Sequence, residues 1–283
     1  ERYKLIYELL KESDSKELIN FISSPVCKKQ DLLLAHDKIF VEKFLTNTLS
    51  TQEKRKIGLQ PWNDYIIERT MRIIGGSVSA VDSAIKGSIS ANMAGGTHHA
   101  FHRYGAGYCV FNDLAVSAYV AKRDFNIQKI LIIDLDVHQG DGTASILKKD
   151  KNIFTFSMHC EKNYPLKKEI SDLDIALPKD TNDSKYLEIL EKNLKELENV
   201  KSEIIFFQAG VDTLKSDNLG YLSLSHIGLK IRNEMILNFA EKRENPIVVF
   251  MGGGYSKPIH DTVLAFKDLF IQCALYAEKN KIK

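Results

Sequence analysis

Three short runs of consecutive apolar residues stand out along this chain, at 129–134, 203–208 and 246–251. Each is rich in Ile, Val or Phe and lacks the polar–apolar alternation of a strand with one wet face. Strands of a parallel sheet have this character, because helices cover them on both sides. Residues 153–157 and 91–94 are weaker strands of the same kind. Between and around them, residues 3–11, 37–49, 62–86, 113–123, 183–199, 225–242 and 259–279 read as helical. Alternating strands and helices predict an α/β chain: a three-layer α/β/α domain with a mainly parallel central sheet. No internal repeat, low-complexity tract or Pro/Gly linker divides it, so one domain over 1–283 is expected.

Each strong strand runs into a chemically loaded segment, at 134–141, 208–212 and 252–255. Open parallel sheets bind ligands beyond the carboxyl ends of their strands, so these segments share one rim. Asp136 and His138 lie two apart and point the same way on an extended segment. Zinc accepts carboxylate oxygen and imidazole nitrogen, and a catalytic site uses three protein ligands with one position left open. Asp212, in Gln208-Ala209-Gly210-Val211-Asp212, is the natural third ligand. Alone, Asp136 and His138 would read as a turn cap and a loop histidine; with Asp212 and a second histidine cluster, the metal reading prevails.

That cluster is Gly95-Gly96-Thr97-His98-His99-Ala100. One imidazole can take a proton from a nucleophilic water and deliver one to a leaving amine. Each ring needs its other nitrogen fixed by a partner, and Asp134 and Asp141 are free to serve. Gly252-Gly253-Gly254-Tyr255 adds a glycine loop that lets a substrate approach closely, Gly253 included, and a hydroxyl able to donate to an oxyanion. Gly105-Ala106-Gly107-Tyr108 places an aromatic wall on a narrow channel, with Gly107 and Tyr108 against the substrate. Asn112 or Asp113 reads as a helix cap, Cys109 as a small buried side chain, and His36, His102, His159, His226 and His260 as structural or surface groups.

Composition narrows the partners. The 283 residues carry 39 basic and 37 acidic side chains, for a net charge of +2. No basic block points to nucleic acid, and no apolar run is long enough to span a bilayer. Four scattered cysteines without a closely spaced pair fit reduced thiols, and a cytoplasmic location is expected. The chain opens at Glu1 rather than methionine, so removal of a short N-terminal piece is expected.

Together these motifs, with Ile57-Gly58-Leu59 and Pro61-Trp62, make the chain resemble the histone deacetylase superfamily of zinc-dependent acyl-amine hydrolases over nearly its whole length. The nearest branch is the class IV-like and bacterial one. The resemblance implies the arginase-deacetylase fold and one zinc ion bound by Asp136, His138 and Asp212. It implies His99 as the main general base and acid, His98 as its electrostatic neighbour, and Asp141 and Asp134 as their respective partners. Tyr255 would polarise the acyl carbonyl, and Tyr108 stands where the family has a channel-wall phenylalanine. A potassium ion is implied at Asp134, Asp136, His138, Ser157 and Met158. The family's first strand and its His-Arg-Phe-Pro-like segment have no counterpart in the sequence, which leaves the start of the sheet and one entrance wall to be found.

The expected reaction is hydrolysis of an N-acyl-lysine amide in a protein or peptide, acetyl or longer, with oligomeric state undetermined. An acetylpolyamine hydrolase on the same chemistry is the nearest alternative. It would be expected to carry an acidic gatekeeper where this chain has Leu219. A dimanganese arginase-like site is disfavoured by His98-His99, and a non-catalytic acyl-lysine binding module would be expected to have lost a ligand or the tyrosine.

Overall fold

The computed structural model describes residues 2–280; Glu1, where processing is expected, lies outside them. In chain order the elements are α1 (Arg2–Lys11), α2 (Lys29–Ala35), α3 (Lys38–Leu45), α4 (Thr51–Ile57), α5 (Tyr65–Gly87), β1 (Ile89–Asn92), α6 (Asp113–Asp124), β2 (Ile130–Asp134), α7 (Asp141–Leu147), β3 (Ile153–Cys160), β4 (Leu173–Leu177), α8 (Asp183–Leu197), β5 (Ile204–Gln208), α9 (His226–Lys242), β6 (Ile247–Phe250) and α10 (His260–Asn280). The strands form one six-stranded sheet in the order β1-β6-β5-β2-β3-β4, with every pairing parallel.

The apolar runs behave as their composition requires. Successive side chains of a strand point to opposite faces. Leu131, Ile133, Ile205, Phe207, Ile247 and Val249 therefore enter one core beneath α1, α8, α9 and α10. Ile130, Ile132, Ile204, Phe206, Val248 and Phe250 enter a second core beneath α2 to α6. Two cores on one sheet make the three layers.

Several expected boundaries shift. The helix expected over 37–49 ends at Leu45, and α2 and α4 appear beside it. The helix expected from residue 62 begins at Tyr65, because Trp62 belongs to the preceding turn and spends its indole N–H on Asn47. The weak strand expected at 91–94 is β1, shifted two residues toward the N-terminus. β4 and α7 were not foreseen. Among the described residues no strand precedes Ile89, and β1 forms one edge of the sheet.

Register sets up the site. Asp134 sits opposite both Ser157 and Gln208, Gln208 opposite Phe250, and Phe250 opposite Asn92. β1, β6, β5 and β2 thus end on one line, with β3 and β4 running about three residues further, and the loops beyond the four converge. From β2 the chain moves outward to β3, whereas from β5 it moves the other way to β6. The loops after β2 and β5 consequently part at a topological switch point, where open α/β sheets form their ligand crevice.

Candidate active site

At that switch point the β2 loop carries Asp136 and His138 and the β5 loop carries Asp212. Ligand atoms of the three lie within 4.8 Å of one another, and all three residues are buried. His138 Nδ1 stands 3.1 Å from Asp136 Oδ1 and 3.2 Å from Asp212 Oδ2. Burial and then the neighbouring Asp136 push the Asp212 carboxyl up to about 7. Asp136 itself is held well below its usual range, burial notwithstanding, by His98 and His138. Two buried carboxylates side by side are costly unless a cation is shared between them. Two carboxylate oxygens with one imidazole form a donor set suited to zinc, so the residues present fit a metal ion.

The tandem histidines stand beside this cluster, ring centroids 4.1 Å apart, with His99 5.8 Å from His138. Each donates through Nδ1 to its own carboxylate: His98 to Asp134 Oδ2 at 2.8 Å, His99 to Asp141 Oδ1 at 2.7 Å. The two rings are polarised in opposite directions. Burial opposes charge on His98, but Asp134 and Asp136 outweigh it and raise this ring to about 9. Burial followed by the charge of His98 lowers His99 to about 4, with Asp141 compensating only in part. The surroundings thus favour the charged form of His98 and the neutral form of His99, the division expected of an electrostatic partner and a base.

The backbone around these rings is pinned by the pair expected to cap a helix. Asn112 does cap α6, accepting from the Ala115 amide, and its Nδ2 also donates to the carbonyls of His98 and Ala100. Asp113, the first residue of α6, is not its cap and binds the preceding turn instead. Its carboxylate accepts from the Gly96 and Thr97 amides, the Thr97 hydroxyl and the Ser77 hydroxyl at 2.6–2.8 Å. The turn leading into His98 is therefore folded around a buried carboxylate.

Beyond β6, the Gly253 amide donates to Asp136 Oδ2 at 2.8 Å. A side chain there is impossible, since a Cβ would lie 2.0 Å from Asp212 Oδ2. Gly107 is constrained similarly: it has φ +53° and its Cβ would meet His99 Cδ2 at 2.6 Å. Tyr255 lines the cavity with its hydroxyl held protonated by burial. Its backbone is anchored by Asp217, which also accepts from the Leu219 and Gly220 amides.

Three contributors were not foreseen. Asp217 is one. Arg2 is a second: from the first helix its guanidinium reaches the carbonyls of Gly252 and Gly254, 5.4 Å from the centre of the Tyr255 ring. Arg232 on α9 is the third. Fully buried, it donates to the carbonyls of Leu135, Ala209 and Gly210 and so ties together the two loops that carry the triad. Arg2 and Arg232 lie far from any motif; Asp217 falls between Asp212 and Leu219, but nothing local in the sequence marks its role.

A cavity of about 830 Å³ opens over these groups. Tyr108, Leu219, Gly107 and Gly253 all line it, as expected. A second aromatic wall was not anticipated: Tyr164 lines the cavity and packs edge-on against His99, ring centroids 4.9 Å apart. Ser157 lies under the site, paired in register with Asp134, and its hydroxyl is 2.9 Å from His159 Nδ1. Of the histidines read as structural or surface, His36 is structural: buried, it donates to the Phe101 carbonyl and accepts from the Asn112 amide. Cys109 is buried, and burial raises its thiol far above the usual range.

The chain is similar to known proteins to different degrees. The chain matches the model of the histone deacetylase domain family over residues 1–266. It is 40% identical over 263 residues to an uncharacterized protein of Picosynechococcus sp., covering 93% of this chain and 87% of that one. It is 26% identical to histone deacetylase 2 of Arabidopsis thaliana, over 81% of this chain and 62% of that protein. Identity is also 26% to the acetoin utilization protein AcuC of Staphylococcus aureus, over 90% and 71%. Among solved structures, the HDA15 HD domain superposes with a TM-score of 0.79 at 20% identity, covering 95% of this chain and 80% of that one, a likeness of fold.

Proposed function

We propose, from the fact that this chain belongs to the histone deacetylase family and from the geometry of its site, that it is a zinc-dependent hydrolase of N-acyl-lysine side chains in proteins or peptides. The observation that carries the reading is the pair of oppositely polarised histidines beside a buried Asp-His-Asp cluster in one cavity. A zinc ion held by Asp136, His138 and Asp212 would polarise the acyl carbonyl and acidify a water. Neutral His99, oriented through Nδ1 by Asp141, takes the proton of the attacking water on Nε2 and later passes it to the departing lysine amine. Charged His98 stays charged and offsets the negative charge that develops beside it. Tyr255 donates its hydroxyl proton in a hydrogen bond to the oxyanion. Tyr108 and Tyr164 flank the lysine stem, and Leu219 closes the channel with an apolar side chain. By family resemblance, a potassium ion beneath the site would use Asp134 and Ser157.

An acetylpolyamine presents further ammonium groups, but among the described residues lining the cavity the only carboxylates are Asp136 and Asp212 at its floor, and burying an unpaired ammonium costs far more than burying a methylene. The zinc-loaded protein should therefore have a higher kcat/KM for an acetyl-lysine peptide than for acetylspermidine. A clear preference for the polyamine would overturn the substrate assignment and leave the zinc chemistry standing. Longer acyl chains should be accepted as far as the cavity admits them.

A further inference from the structure

The entrance to the cavity has a chemical character that the reaction does not require. Among the described residues lining the cavity, the only carboxylates are Asp136 and Asp212, both at its floor. The cations that line it are Arg2, Lys56, Arg69 and Lys162. Arg2 is spent on the glycine loop, but Lys56 and Lys162 are exposed at the mouth. Lys56 Nζ sits 3.3 Å from the centre of the Tyr104 ring, a cation–π contact that leaves its charge facing solvent. Lys162 pairs with Glu161 at 3.3 Å, and both side chains stay more than half exposed, so the pair is loose. The same lining carries Tyr108 (50% exposed), Tyr164 (44%), Leu166 (96%) and Tyr221 (45%). Lys179 lies 5.2 Å from the Tyr221 ring. Of the carboxylates next to this surface, Asp217 is occupied by three backbone amides, Asp141 by His99, and Glu161 by its loose pair with Lys162.

A peptide laid across the mouth thus meets exposed tyrosine and leucine side chains interleaved with lysines. We propose that this surface selects acyl-lysines set among acidic residues, with Lys56 and Lys162 receiving the flanking carboxylates, and disfavours acyl-lysines in basic tails. The inference rests on the acyl-lysine hydrolase reading and narrows it to a sequence context. Matched rim charges act chiefly on encounter and weaken with salt, and exposed pairs are individually small, so about threefold per charge and about tenfold for two is the expected scale.

Two acetyl-lysine peptides of equal length, one with aspartates and one with arginines at the flanking positions, provide the test. They are compared by kcat/KM and, with a fluorescent label, by anisotropy on the zinc-loaded protein at low and high salt. The acidic peptide should be favoured about tenfold at low salt and only marginally near 1 M, where the screening length is about 3 Å. Lys56→Glu/Lys162→Glu should reverse the order without shifting the melting temperature. Equal or better performance of the basic peptide, or a preference that survives both salt and charge reversal, would overturn the inference while turnover upheld the hydrolase reading. Selective binding without turnover would do the opposite. Neither binding nor turnover would count against both.

Discussion

Replacing Arg232 by methionine isolates the contribution of a residue that touches neither substrate nor metal ligand. Methionine keeps much of the aliphatic stem and removes the fork. The carbonyls of Leu135, Ala209 and Gly210, which accept from Arg232 at 3.3, 3.2 and 2.7 Å, then lose these donors in a buried environment. An unsatisfied buried acceptor costs about 1–3 kcal/mol, so three amount to about 3–9 kcal/mol. Removing a fully buried guanidinium with no bonded carboxylate recovers part of that through its desolvation, and a net loss of about 3 kcal/mol is expected. Unfolding entropy of about 2.1 cal/mol/K per residue gives about 0.6 kcal/mol/K for 283 residues, so the melting temperature should fall by about 5 °C. The same carbonyls belong to the loops bearing Asp136, His138 and Asp212, and groups that orient ligands this way typically tune metal affinity by about ten- to a hundredfold. Calorimetry with and without chelator reads the first effect; competition against a chromogenic zinc chelator reads the second. Arg232→Lys, which keeps the charge but cannot span three carbonyls, should recover part of each. A melting temperature within about 1 °C of wild type and an unchanged zinc affinity would refute the stapling role.

Further expectations concern the site itself. Asp136→Asn and His138→Ala should each abolish activity by releasing the metal; full zinc occupancy of the purified variants would rule out this coordination set. Tyr255→Phe should keep metal and fold yet lower kcat by about 10²–10³, whereas retention of more than half the activity would remove its oxyanion role. His99→Ala should lose about 10²–10⁴ in kcat and His98→Ala less, and the reverse order would mean the two roles are exchanged. A pH effect should appear away from the metal, at His36, which burial lowers from 6.5 to about 3. Because the folded state disfavours its protonation, its contribution is intact above pH 6.5 and is lost as pH falls toward 3, by up to about 1.4 kcal/mol per pH unit. The decline in melting temperature between pH 6.5 and 5 should be shallower in His36→Gln; an equal slope would show that His36 is not held neutral.

Much of the site was legible because its chemistry is concentrated at strand ends. The Asp-His-Asp cluster, the two histidine–carboxylate pairs and the glycine–tyrosine loop lie within segments whose residue types are hard to explain by packing. The assignment of Asp134 to His98 and of Asp141 to His99 came from family resemblance, and the distances agree with it. Residues 29–57 were harder, because helices of seven or eight residues show too few turns for periodicity and are held by packing, α2 against α6 among them. One signal there was readable: Ser50 and Glu53 form a capping box, and Gly58 closes α4 in the left-handed conformation. The edge strand β4, only partly buried, carries no continuous apolar run.

By itself the sequence determined the layered α/β architecture, since strands covered on both faces must be continuously apolar, and it determined which side chains carry reactive groups. Only the tertiary structure decided what surrounds them. Register brought Asp134, Ser157, Gln208 and Phe250 onto one line, and the reversal of strand order parted the β2 and β5 loops around the cluster. The protonation of the tandem histidines was likewise decided in space: identical, adjacent residues differ because one faces two carboxylates and the other faces one carboxylate and a charged ring. Arg2 meets Gly254 across 252 positions, and Arg232 meets Leu135 across 97. Contacts of that range leave no periodicity or local motif, because they exist only once the layers have closed on the sheet.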